Sequence, residues 1–157
     1  MNPKLLEALC TDFTAIYQCD LIQDTIDIVR FDKGTHTDMA IQTMDPYTLH
    51  SFHKMIQYFE NLYIQDSAQE SLWKEFEPQA LMEKLKDNPI YCYHCRLKPN
   101  QNGNEYHSFR AIKLNESKSS FEVVIGVKVM DDLMEKQYKN EKRFNNSLKK
   151  RNIKKKN

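Results

Sequence analysis

Two short stretches of this chain have residue types and spacing that invite chemistry. Cys92-Tyr93-His94-Cys95 has the Cys-x-x-Cys spacing of a redox pair or half a zinc site, and His50 and His53 lie three apart, where two imidazoles on one helix can share a metal or a haem. What either can do depends on the element beneath it. On a strand, side chains alternate faces, so Cys92 and Cys95 point to opposite sides and cannot share a metal or a disulfide without a bulge. No second Cys-x-x-Cys completes a four-ligand zinc site. His50 follows Leu49 and His53 follows Phe52, so the exposed flank of an amphipathic helix accounts for both. With 3 glycines the chain has no Gly-rich phosphate loop, and no serine sits in a nucleophile elbow. The expectation is therefore no catalytic residue, no metal ligand and no cofactor. The cysteines Cys10, Cys19, Cys92 and Cys95 read as reduced, small apolar packers.

Charge separates the chain into two parts. Residues 1–135 hold 13 Lys and Arg against 21 Asp and Glu, a balance of −8, whereas residues 136–157 hold 10 against 1, a balance of +9, and the two sum to the overall +1. Clusters such as Lys149-Lys150-Arg151 and Lys154-Lys155-Lys156 attract phosphate, but no aromatic residue accompanies them for base stacking. A solvated linker is the expected role, and nucleic acid is not an expected partner. No segment approaches the ~20 apolar residues of a membrane span, and the first residues lack the pattern of a signal peptide, so the expected compartment is the cytoplasm.

The elements that would position these residues follow from periodicity. Phe121 to Met130 alternates, with every odd position from Phe121 to Val129 apolar, as in a strand with one face on a core. It runs into Asp131-Asp132 and then a charged, Pro- and Gly-free segment, Leu133 to Lys150, expected to be a helix about 28 Å long. Upstream, a helix to about Phe13 with Leu5, Leu6 and Leu9 on one stripe precedes a hairpin of strands Ala15–Leu21 and Thr25–Phe31. Asp32 to Thr43 reads as a loop. Asp45 with Pro46 opens a helix expected to continue to Tyr63, followed by helices over 67–76 and 78–85. Strands over 90–97, 105–114 and 121–130 complete the order.

That order, with Cys19-Asp20-Leu21 in the first strand, Tyr91 to Leu97, Gly103 to Ile112 and Val124 to Asp131, resembles the PAS-type sensor regions found ahead of diguanylate cyclases and in bacterial sensor histidine kinases. The resemblance covers residues 5–140. Where that family often carries His-Pro-x-Asp-Arg, this chain keeps only Asp66, within Tyr63 to Gln69, and the Gly-x-Asn-Cys-Arg setting of a flavin-reactive cysteine is absent. The resemblance implies an α+β fold: a five-stranded antiparallel sheet, a helical insert between strands two and three, an N-terminal flanking helix and a C-terminal signalling helix. The sensor domain would span 1–131 and the basic outgoing helix 132–157.

If a ligand pocket exists it lies between the sheet and the insert, facing Tyr17, Cys19, Leu21, Tyr93, Cys95, Ile125 and Val127, each set alternating onto one face. The ligand itself is unspecified. The resemblance makes Asp131 or Asp132 the junction that caps the outgoing helix and passes a signal to it. The expected function is a non-catalytic sensory module that dimerises, aided by Leu133, Met134, Tyr138, Phe144 and Leu148, and drives a diguanylate cyclase or histidine kinase in the same or a partner chain. The alternative is a free-standing small-molecule-binding protein or enzyme using the same pocket.

Overall fold

A computed structural model describes residues 12–67, 70–130, 136, 137 and 139–144. Strands β1 (Ala15–Asp20) and β2 (Thr25–Phe31) form the expected hairpin, with a register shift between Ile16 and Tyr17. Its turn is held by the Asp20 carboxylate, which accepts the backbone N–H groups of Ile22 and Gln23, each at 3.0 Å. Asp24 takes a positive φ of 56° in the turn, and its carboxylate accepts the Ser51 hydroxyl and the His53 N–H, each at 2.7 Å.

Five helices follow before the sheet resumes: α1 (His36–Thr43), α2 (Pro46–His50), α3 (Phe52–Tyr63), α4 (Leu72–Phe76) and α5 (Pro78–Asp87). Two expectations are corrected here. The segment read as a loop contains α1, because Thr35 and Asp38 cap it reciprocally. The Thr35 hydroxyl accepts the Asp38 N–H at 3.3 Å while the Asp38 carboxylate accepts the Gly34 N–H at 2.8 Å. The helix expected from Asp45 to Tyr63 is broken at Ser51, which adopts an extended conformation and caps α3 through its hydroxyl. Asp45 and Pro46 open α2 as expected.

Strands β3 (Ile90–Arg96), β4 (Tyr106–Glu116) and β5 (Phe121–Val129) complete a five-stranded antiparallel sheet in the order β2-β1-β5-β4-β3. The fold is α+β, with the helical insert between strands two and three. Period-2 alternation divides the sheet into two faces. Ala15, Tyr17, Cys19, Phe121, Val123, Ile125 and Val127 turn one face to Phe52, Met55 and Phe59 of α3, Leu72 and Phe76 of α4, and Leu81 and Leu85 of α5. Each large side chain so buried contributes about 2 kcal/mol of transfer free energy. On the opposite face Phe13 packs with Ile16 and Val124, and its ring lies so close to Gly126 that a Cβ there would approach it to 2.7 Å.

Residues 136, 137 and 139–144 are helical, within the segment expected to form the outgoing helix. Asp131 and Asp132, the N-terminal helix up to residue 11, and the domain boundary near 131 lie outside the described residues. Among the described residues no helix is long and apolar enough to cross a membrane.

Candidate functional site

The space between the sheet and the insert is nearly filled. Tyr17, Ile26 and Ile125 from the sheet, with Phe109 of β4, face Phe52, Met55, Ile56, Phe59, Leu72 and Phe76 across a cavity of about 20 Å³. That is room for about one water, and the Tyr17 phenol oxygen is the one polar side-chain atom among these wall residues. The wide apolar face of α3 puts Phe52, Met55 and Phe59 here because they recur at three- and four-residue spacing, while β1 and β5 supply alternate residues.

A second, smaller cavity of about 10 Å³ adjoins it, sharing Tyr17, Phe59 and Phe109. Its lining is mixed: beside Ala15, Leu97 and Val127, the polar residues Thr14, Thr35, His36 and Thr37 meet His107 of β4. His36 and His107 are 4% and 2% exposed and cross edge to face with ring centroids 5.1 Å apart. Each imidazole has one nitrogen on a backbone carbonyl, His36 Nε2 on Lys98 at 2.6 Å and His107 Nδ1 on Glu105 at 2.9 Å. The Tyr17 and Thr37 hydroxyls are hydrogen-bonded to each other, and the Tyr63 ring packs edge-on to His36 at 4.9 Å. Burial, reinforced by the neighbouring His36, pushes the His107 pKa down to about 4, and burial also lowers that of His36. Both rings are therefore neutral at pH 7. The Tyr17 phenol is pushed well above its ordinary range by burial.

The sequence-expected pocket residues divide between these surroundings. Tyr17 lines both cavities, Ile125 the apolar one and Val127 the polar one; Cys19, Leu21 and Cys95 are buried in the core and, like half-buried Tyr93, line neither. Burial raises the thiol pKa of Cys19 and Cys95, so neither is a thiolate at neutral pH. Cys92 is exposed and Cys95 fully buried, the opposite-face arrangement that alternation required. His50 and His53 belong to different helices, and His53 packs its ring on Trp73 at 4.8 Å. Among the described residues no three His, Cys, Asp or Glu side chains are placed to hold a metal ion.

No local pattern pairs His36 with His107, and His36 falls in the polar segment whose composition predicts a loop. The legible signal was Thr35-x-x-Asp38, a capping pattern that would have put His36 in the first turn of a helix. A second polar cluster lies at the edge of the insert. The Glu75 carboxylate accepts the Lys84 ammonium at 2.8 Å and the Tyr91 hydroxyl. Burial alone would raise the Glu75 pKa, but these two donors outweigh it and hold the carboxyl below its usual range. No protein-family model matches the chain, and no curated protein matches it.

Proposed function

We propose that this chain is a PAS-type sensory and dimerisation module of a bacterial signalling protein, not itself catalytic. The observation that carries the reading is the strand order β2-β1-β5-β4-β3, with every helix of the described insert entering between β2 and β3. That order seats the last strand between β1 and β4, where it contacts the interior through Val123, Ile125 and Val127 before the chain continues toward the outgoing helix. A displacement of α3 or α4 against the sheet thus bears on the strand that adjoins the Asp131-Asp132 junction. The output is a diguanylate cyclase or a histidine kinase, in the same chain or a partner.

A ligand larger than water enters the apolar cavity only if Phe52, Met55, Phe59 and Phe76 move, so binding selects a more open arrangement of insert and sheet. Native mass spectrometry of the untagged protein tests the reading. A homodimer is expected, with a defined extra mass if a small molecule is retained. A monomer that converts a metabolite unaided would replace this reading with that of a free-standing enzyme using the same pocket.

A further inference from the structure

The described part of the basic segment rests on the globular body through its lysines. Lys142 Nζ lies 3.8 Å from a carboxylate oxygen of Glu70, a side chain 5% exposed, and 5.6 Å from the centroid of the Tyr93 ring. One turn earlier, Lys139 Nζ stands 5.2 Å from the Tyr106 ring, which also takes the Arg96 guanidinium at 5.3 Å. Glu70 in turn accepts the backbone N–H of Arg96, at 3.2 and 3.3 Å from its two oxygens, so one buried carboxylate joins the insert, edge strand β3 and the helix. Withdrawing Lys142 removes a counter-charge from a carboxylate that water barely reaches, and this couples the helix position to the body.

We propose that Glu70, Tyr93 and Tyr106 form a lysine-receiving latch that holds the 136–144 segment against the β3–β4 edge, and that a shift in the interior frees the segment by moving Tyr93. The first half stands on the contacts alone; the second rests on the sensor reading above. The link inward is Phe76 of α4, which lines the apolar cavity and packs edge-on to Tyr93 at 6.3 Å. A swing of Phe76 that admitted a ligand would tilt the ring under Lys142.

Hydrogen exchange followed by mass spectrometry on the full chain tests this, comparing the unaltered protein with K142M, E70Q and F76L. The amide of E70Q still presents an oxygen to the Arg96 N–H. K142M is expected to speed exchange of peptides covering 136–144 about tenfold, with β5 unchanged, as does E70Q if it folds. Unchanged exchange in K142M, or a segment already exchanging like an unstructured peptide in the unaltered protein, overturns the latch; K142M alters a half-exposed side chain and decides the matter even if E70Q unfolds. Faster exchange of 136–144 in F76L supports the link from the interior, and no change there breaks it. A failed latch leaves the sensor reading standing, whereas a catalytically active monomer removes that reading without altering the K142M result.

Discussion

The two cavities on either side of Tyr17 share three wall residues and differ in what keeps them closed. On the α3 side, contact between apolar side chains fills the space, and burial keeps the one ionisable wall group, the Tyr17 phenol, protonated. On the α1 side, two neutral histidines, the Thr35 and Thr37 hydroxyls and a tyrosine hydroxyl are buried with hydrogen-bond partners within the fold. The first region resists change in volume, the second change in charge. The same interior thus offers a sensing event two separate points of leverage.

The largest expected effect tests the apolar side. Phe52 is fully buried, and Phe52→Ala should lower stability by about 3–5 kcal/mol through lost transfer energy and residual cavity, read from urea unfolding. A loss under about 1 kcal/mol would mean the insert collapses into the space and the cavity has no fixed wall. The next effect belongs to the polar side and is a pH dependence. In the unfolded chain a histidine titrates near its ordinary value of about 6.5, whereas folded His107 does so near 4. Between these values the unfolded state binds the extra proton. Stability is therefore full above about pH 6.5 and falls as pH drops toward 4, by about 3 kcal/mol from His107. His107→Gln should flatten that part of the curve; an unchanged slope would move the acid sensitivity elsewhere.

Tyr17→Phe is the smallest test and the most selective. It leaves the apolar wall intact and strips the Thr37 hydroxyl of its partner, at an expected cost of about 1 kcal/mol. If Tyr17→Phe is neutral while Phe52→Ala is costly, the hydroxyl pair adds nothing and the difference between the cavities reduces to size.

The strands were legible because one face of each is buried against helices, and that burial writes itself into every second residue of β1 and β5. The sheet side of the apolar cavity was legible for the same reason: Tyr17 and Ile125 fall out of alternation. The polar half depends on residues far apart in sequence, His36 and His107, whose meeting no local period records. α1 was missed because its few apolar residues make a weak stripe and its start is set by side-chain capping. The break at Ser51 was hidden because Leu49, Phe52 and Ile56 keep helical spacing straight across it.

The Asp20 carboxylate does more than close its own turn: it also accepts the Phe121 N–H at 3.2 Å and the Ser120 hydroxyl at 2.5 Å, tying the first hairpin to the start of β5. Because β5 is the neighbour on which β1 leans, a chain emerging from the ribosome makes the β1–β2 hairpin early and then waits for residue 121 and beyond to complete it. During that interval one side of β1 has its backbone groups exposed to any other strand. A nascent or truncated chain ending before β5 is thus the species most prone to clump, and its need for a chaperone should end when the last strand arrives.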